Sequence, residues 1–104
     1  GHPWAVAKAW RGSAPVSPIV PSDMCGRGPW ELLCEVNDSR RQFSSTDKME
    51  RSIEQLISYL SSVFTLRRGD CIFTGTPEGV GAVVAGDHVR ASLSTLTALE
   101  VNIV

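Results

Sequence analysis

Proline is concentrated at the front of this chain, and this distribution constrains the fold more than any other feature of the sequence. Five of the six prolines lie within the first thirty residues, at Pro3, Pro15, Pro18, Pro21 and Pro29. Proline fixes φ and donates no backbone hydrogen bond, so it interrupts helices and the interior strands of sheets. We therefore expect residues 1–30 to be extended and irregular, with short strand pieces such as an edge strand at Ile19-Val20.

A β-hairpin is predicted directly after the prolines. Residues 30–36 form a short β run with partial alternation, Asn37-Asp38 is a turn signal, and residues 39–43 supply the second strand. Asn-Asp is a weaker hairpin turn than Asn-Gly, because the second central residue of a type I′ turn also needs a positive φ.

The clearest single element is an amphipathic helix from about Lys48 to about Val63. Asp47 suits the N-cap, and Glu50, three residues later, is placed for a capping-box contact. Apolar residues recur at helical spacings of three or four along one stripe: Met49, Ile53, Leu56, Ile57, Leu60 and Phe64.

Three short β runs follow the helix. Residues 71–74 resemble a strand buried on both faces, whereas residues 88–93 and 99–104 alternate as half-exposed strands do. The chain lacks the regular strand–helix alternation of a doubly wound sheet. These patterns predict a mixed α/β fold that is mainly β, with one amphipathic helix.

Composition excludes several classes of protein. The 104 residues suffice for one domain, and 10 basic against 11 acidic residues give a net charge of −1, with no basic cluster for a nucleic acid or a membrane surface. Cys25, Cys34 and Cys71 are widely spaced and accompanied by two histidines, His2 and His88, so neither a disulfide framework nor a structural zinc site is indicated. Apolar runs are too short to cross a bilayer. We expect a soluble chain from a reducing compartment.

The most unusual local sequence is a glycine-rich bend, Thr74-Gly75-Thr76-Pro77-Glu78-Gly79-Val80-Gly81. It presents two hydroxyls and several unencumbered backbone N–H groups, which suit an anionic or carbonyl ligand. Composition alone leaves open the alternative that the bend merely reverses the chain, because glycines are common wherever a positive φ is needed. It is not a phosphate loop, since it lacks GxxxxGK[ST].

Lys8 is the second candidate, because it lies in an otherwise apolar run between Trp4 and Trp10. A lysine among aromatic and small side chains can place its ammonium against a developing enolate or a carboxylate. The alternative is a surface lysine that snorkels into water. The segment Arg40-Arg41-Gln42 could bind a carboxylate, although a basic pair on a hairpin is usually just solvated.

Taken together, these residues resemble the C-terminal half of the fumarylacetoacetate hydrolase family, above all its smaller members, the acylpyruvases and fumarylpyruvate hydrolases. The resemblance covers nearly the whole chain, in order. Its segments are Lys8 with residues 13–18, Val36-Asn37, Arg41-Gln42 with Thr46, residues 57–66, the 69–81 segment and Gly86-Asp87. Glu50 departs from the family pattern by taking a normally apolar place.

The resemblance implies a partial β-roll or sandwich and an enzyme that acts on a small 2-oxo or diketo acid with Mg²⁺ or Mn²⁺. The family typically hydrolyses a carbon–carbon bond in acylpyruvates, and some relatives decarboxylate oxaloacetate. Lys8 matches the active-site lysine, and Thr74, Gly75 and Thr76 match the segment that contacts the substrate. If the family's other half normally pairs with these strands, the chain alone exposes sheet edges and apolar surface, which predicts dimerisation or aggregation. We expect a homodimer, in the cytoplasm or the mitochondrial matrix.

The family's metal ligands, a Glu-x-Glu pair and an Asp, and its water-activating His/Glu pair lie before the point where this chain begins. No Glu-x-Glu occurs in these 104 residues. We therefore expect residues 1–104 to be an incomplete catalytic domain that binds no metal and turns over no substrate alone, because hard cations need several oxygen ligands in one place. The alternative is a stand-alone, non-catalytic binding or assembly module with the same fold.

Overall fold

A computed structural model describes residues 3–104, so His2 lies outside the described residues. The fold is mixed α/β and mainly β, as predicted, with a four-stranded antiparallel sheet and one helix of 11 residues. In chain order the helices and strands are α1 (Trp4–Lys8), β1 (Glu31–Val36), β2 (Ser39–Ser45), α2 (Ile53–Val63), β3 (His88–Leu93) and β4 (Thr97–Asn102). Short 3₁₀ turns lie at Ser22–Met24 and Thr46–Lys48.

The sheet has the order β2-β1-β3-β4, and all its pairs are antiparallel. The predicted hairpin is confirmed, with Val36 opposite Ser39. Across the sheet Cys34 pairs with Ala91, and Ala91 pairs with Leu99. A bulge lies between Cys34 and Glu35, so the ladder to β2 shifts register there. The two strands predicted in the last part of the chain are confirmed as β3 and β4.

The hairpin turn adopts the type I′ backbone conformation, although Asn-Asp is a weak sequence signal for it. Asn37 has φ 51° and Asp38 has φ 65°, as a type I′ turn requires. The Asn37 side chain also joins the turn to β3: its Nδ2 donates to Asp87 Oδ1 at 2.9 Å, and its Oδ1 accepts from the His88 backbone N–H at 2.9 Å. These two contacts tie the β1–β2 turn to the start of the next strand.

The predicted start of the helix is wrong. Helix α2 begins at Ile53 with Ser52 as its N-cap, because Ser52 and Gln55 form a reciprocal capping box. The Gln55 N–H donates to Ser52 Oγ at 3.1 Å, and the Ser52 N–H donates to Gln55 Oε1 at 2.8 Å. Met49, with φ −63° and ψ 137°, is extended, so no helix runs through the expected Asp47–Glu50 box. The predicted end at Val63 is confirmed.

Three other predictions of local structure are wrong. Trp4–Lys8 is a helix rather than extended chain, because no proline interrupts the Ala-rich run after Pro3. Ile19-Val20 forms no strand, and the Ile19 side chain is almost fully exposed. Residues 71–74 are irregular, and Phe73 is 73% exposed rather than buried. An apolar run becomes a buried strand only where neighbouring strands pair with it, and none of the described strands does.

The described residues bury very little. Val36, at 6% relative exposure, is the one buried apolar side chain among residues 3–104. Large apolar groups such as Trp4 and Val80 are more than two-thirds exposed. A sheet has to bury an apolar face against another layer to form a core, and none of the described helices packs extensively on this sheet. Among the described residues no helix is long and apolar enough to span a bilayer.

We predict that Asp87 makes the stability of this fold depend on pH in the acid range. The Val84 backbone N–H, 3.0 Å from Asp87 Oδ2, and the Asn37 amide hold the pKa of this carboxyl below its ordinary value of 3.8. A lowered folded-state pKa stabilises the fold above the unfolded-state value, and this contribution is lost as the pH falls through the folded-state pKa. As the pH falls from about 4 to about 2, the free energy of unfolding should therefore decrease less for the Asp87→Asn variant than for the parent chain. Urea titrations at each pH would measure both free energies.

Asp38→Asn is the matched control, since it removes a carboxylate from the neighbouring hairpin turn without touching these two hydrogen bonds. An Asp87→Asn curve that runs parallel to the parent curve throughout the acid range would contradict the prediction.

Candidate active site

The glycine-rich bend at residues 74–81 lies against strand β2, and the amide of Gln42 holds it there. Gln42 Nε2 donates to Thr76 Oγ1 at 2.8 Å and to the Pro77 carbonyl oxygen at 2.8 Å. A third, longer contact of 3.4 Å reaches the Glu78 carbonyl oxygen. Because one amide nitrogen carries two hydrogens, the two short contacts account for its donors. The bend is thereby fixed at the hydroxyl of Thr76.

The glycines of the bend are required by its close approach to β2. Gly79 has φ 99°, and a Cβ there would overlap the backbone carbonyl oxygen of Arg41. A Cβ at Gly81 would lie 2.9 Å from Arg41 Nη1, the atom that donates to the Ala82 carbonyl oxygen at 3.2 Å. Arg41 therefore packs along the bend. Part of the bend's composition thus serves chain packing, in agreement with the alternative that the sequence left open.

The start of the bend lines an open cavity of about 680 Å³. Its wall combines apolar groups, hydroxyls and three charged side chains. The lining residues are Trp30, Leu32, Ser44, Ser45, Thr46, Lys48, Met49, Glu50, Arg51, Ile53, Leu56, Thr74, Gly75, Thr76, Pro77 and Leu93. The three residues predicted to bind substrate, Thr74, Gly75 and Thr76, therefore share one cavity.

Trp30 anchors the floor of this cavity through its backbone and its ring. The Trp30 N–H donates to Thr46 Oγ1 at 2.9 Å, and the Thr46 N–H donates back to the Trp30 carbonyl oxygen at 2.9 Å. The indole Nε1–H donates to the Cys25 carbonyl oxygen at 2.9 Å. The backbone of Trp30 is thereby tied to Thr46 and its indole to Cys25, so the proline-rich segment is attached to the sheet.

Lys8 lies elsewhere on the surface and is exposed at the end of α1. Its Nζ is 4.6 Å from the centroid of the Trp4 ring, a cation–π distance. Lys8 is not among the residues that line the cavity. Its role as the active-site lysine therefore stays a prediction.

The sequence interpretation missed Lys48 and Arg51, which line the cavity and were not considered as ligand-binding groups. Gln42, a carboxylate-binding candidate together with Arg40-Arg41, instead holds the bend, and Glu50, which formed no convincing acid/base pair in the sequence, also lines the cavity. The one available signal was the charge of Glu50 at a normally apolar place. The hydrogen bonds of Gln42 join residues 34 or more positions apart, so sequence spacing could not reveal them.

The cavity does not fit a divalent cation. Among residues 3–104 no group of three His, Cys, Asp or Glu side chains is close enough to hold a metal ion. In the described lining, Glu50 is the single carboxylate. Mg²⁺ and Mn²⁺ require several oxygen ligands at once, so the donor set of this segment is insufficient.

The comparisons with known proteins identify the family. The sequence profile described as Fumarylacetoacetate (FAA) hydrolase C-terminal matches residues 1–104, so the chain belongs to the fumarylacetoacetate hydrolase family. It is 42% identical over 104 residues to the oxaloacetate tautomerase FAHD2, mitochondrial, of Oryza sativa subsp. japonica. That match covers 99% of this chain and 46% of the relative. The chain thus spans about half the length of the curated relatives it matches.

Two solved structures share the fold and were determined with ligands. The fumarylpyruvate hydrolase from Pseudomonas aeruginosa in complex with Mn²⁺ and pyruvate is 40% identical, with a TM-score of 0.93 over 98% of this chain and 44% of that chain. The maleylpyruvate hydrolase from Sphingobium sp. SYK-6 in complex with manganese(II) ion and pyruvate is 37% identical, with a TM-score of 0.79 over 83% of this chain and 33% of that chain. The family therefore includes hydrolases that use a divalent metal.

We predict that Gly79→Ala destabilises the fold far more than Gly69→Ala. Both glycines have a positive φ, 99° and 94°, but a Cβ at Gly69 meets open space whereas one at Gly79 meets the Arg41 backbone. The left-handed backbone alone should cost about 1–2 kcal/mol in each variant. Displacing the bend should add about 1–3 kcal/mol at Gly79, and urea unfolding would measure the difference. Equal losses in the two variants would show that the bend does not pack tightly on β2.

Proposed function

We propose that this chain forms the substrate-binding wall of a divalent-metal-dependent enzyme that acts on 2-oxo or diketo acids. The observation that carries this proposal is the Thr74–Thr76 bend, which Gln42 fixes at the edge of an open cavity. Support comes from relatives named for oxaloacetate, fumarylpyruvate and maleylpyruvate, two of them solved with pyruvate. The primary activity we propose is hydrolysis of a carbon–carbon bond in an acylpyruvate.

The geometry of Thr76 suits a donor to an anionic ligand. Its Oγ1 accepts a hydrogen bond from Gln42, so its own hydroxyl hydrogen is free to point away from that amide. In our proposal this O–H donates to an oxygen of the 2-oxo acid. Gly75, which precedes Thr76 in the cavity lining, has no side chain to block its backbone N–H. In our proposal this N–H binds the same end of the substrate. The bend orients the substrate and takes no proton from it.

Negative charge on the 2-oxo oxygen is common to several reactions of such acids. Hydrolytic cleavage, decarboxylation and keto–enol tautomerisation all place charge on that oxygen as an enolate develops. Preorganised donors aimed at developing charge lower the barrier of each. In our proposal one binding wall can therefore serve both kinds of reaction, and the relatives include a hydrolase and a tautomerase by name. We assign Lys8 the role of a positive charge that supports this enolate.

The metal would be Mg²⁺ or Mn²⁺, as the relatives solved with manganese support. Because the described residues do not form a cation site, we propose that its ligands come from a further segment and that residues 1–104 alone are inactive. We further propose a homodimer, located in the mitochondrial matrix or, as the alternative, in the cytoplasm; the word mitochondrial in the name of the rice relative favours the first location. A non-catalytic binding module is the second candidate, favoured by the combination of a formed bend and no described cation cluster.

We predict that the purified 104-residue chain shows no turnover of an acylpyruvate or of oxaloacetate with Mg²⁺ or Mn²⁺. Mixing the chain with the complementary N-terminal part of the rice relative, or fusing the two, should restore metal-dependent turnover. Proton NMR of substrate and product would measure this turnover. Turnover by the chain alone would refute the incomplete-site proposal. A complemented protein that still binds pyruvate but converts neither substrate would favour the binding module.

We predict that two substitutions separate the roles of Lys8 and Thr76 in the complemented enzyme. Lys8→Ala should lower kcat about 100-fold, the usual order for a lost charge-stabilising donor, while the melting temperature stays unchanged because Lys8 is exposed. Thr76→Val should raise KM about tenfold through loss of a hydrogen bond to a charged group. Thr76→Ser, which keeps the hydroxyl, is the matched control. Unchanged kinetics in both Lys8→Ala and Thr76→Val would refute these assignments.

A further inference from the structure

The cavity beside the Thr74–Thr76 bend is lined by two cations that form no ion pair within residues 3–104. Lys48 and Arg51 both line it. The ion pairs formed within residues 3–104 join Arg90 to Glu35 at 3.7 Å and to Glu100 at 3.4 Å, and neither involves the cavity. Lys48 and Arg51 are therefore available to an anionic ligand.

Local structure fixes the backbone of Lys48 and of Arg51. Lys48 ends the 3₁₀ turn Thr46–Lys48, the backbone at Met49 is then extended, and Ser52 caps helix α2. The Arg51 guanidinium carbon lies 5.8 Å from the centroid of the Tyr59 ring, within cation–π range. The connection between β2 and α2 thus places the two residues in the wall of the cavity that the bend also lines, with both side chains exposed.

Glu50 lies between the two cations in sequence and lines the same cavity. The net charge of this part of the wall is therefore +1. One carboxylate from a ligand would neutralise it, and Arg51 has the planar fork that binds a carboxylate through two parallel hydrogen bonds. Glu50 opposes that carboxylate, so it should weaken the binding of a dianion rather than assist it.

We propose that Lys48 and Arg51 bind a second carboxylate of the substrate and make this site selective for dicarboxylic over monocarboxylic 2-oxo acids. The inference rests on the proposed function, because it places the 2-oxo end of the substrate at Thr74–Thr76. The volume of about 680 Å³ leaves room for a ligand that reaches both groups. The connection between β2 and α2 therefore sets substrate specificity, while the bend holds the part of the substrate that reacts.

The test compares two substrates in the complemented enzyme, fumarylpyruvate with two carboxylates and acetylpyruvate with one. In the double variant Lys48→Met/Arg51→Leu, the ratio of kcat/KM for fumarylpyruvate to that for acetylpyruvate should fall at least about tenfold. Glu50→Gln should raise the same ratio. Arg67→Leu, which removes a cation outside the cavity lining, should leave it unchanged. An unchanged ratio in the double variant, or an equal fall in Arg67→Leu, would overturn the inference.

A binding experiment keeps this inference separate from the proposed activity. In a Trp4→Phe/Trp10→Phe background, Trp30 is the remaining tryptophan and lines the cavity, so its fluorescence reports occupancy. The 104-residue chain is titrated with oxaloacetate and with pyruvate. The inference is supported if oxaloacetate binds more tightly than pyruvate and the double variant Lys48→Met/Arg51→Leu removes this difference. That support holds even if no complemented form turns over substrate. Equal affinities for the two acids, or binding of neither, would overturn it.

Discussion

The side-chain amide of Gln42 joins the sheet to the glycine-rich bend, and the shape of the candidate site depends on that link. Its two short hydrogen bonds, each 2.8 Å, fix the Thr76 hydroxyl and the Pro77 carbonyl against strand β2. Gly79 allows the approach because its missing side chain makes room for the Arg41 carbonyl. A strand residue and a glycine 37 positions away thus have to be compatible for the bend to form where it does.

Local sequence predicted those elements whose signals are complete within a few residues. The Asn37-Asp38 hairpin and strand β3 follow from turn chemistry and alternation, and both are present. The start of α2 was misplaced because Asp47–Glu50 and Ser52–Gln55 offer two competing caps, and the extended backbone at Met49 decides for the second. Residues 71–74 are apolar enough for a buried strand. Whether they become one depends on a neighbouring strand, which their own sequence does not specify.

The two interpretations of the glycine-rich bend, a chain reversal and a ligand site, are compatible with each other. Composition left a chain reversal and a ligand site as alternatives, and the family resemblance favoured the second. In the structure Gly79 and Gly81 serve the packing on Arg41, whereas Thr74 to Thr76 line the cavity. The charges of Lys48 and Arg51 were not recognised, because cations next to a helix start are usually solvated. Their position beside the bend arises only when the chain has folded.

The burial of Val36 alone among the described apolar side chains has a calorimetric consequence. The heat capacity increment of unfolding follows the apolar surface newly hydrated when a chain unfolds. For these residues that increment is smaller than for a chain of equal length with a full core, so the temperature dependence of their stability is flatter. A polypeptide that covered exposed apolar groups such as Tyr59 and Phe64 would increase both this increment and the enthalpy of unfolding, and a larger enthalpy narrows the thermal transition. The width of a thermogram would thus report how much of this surface is covered.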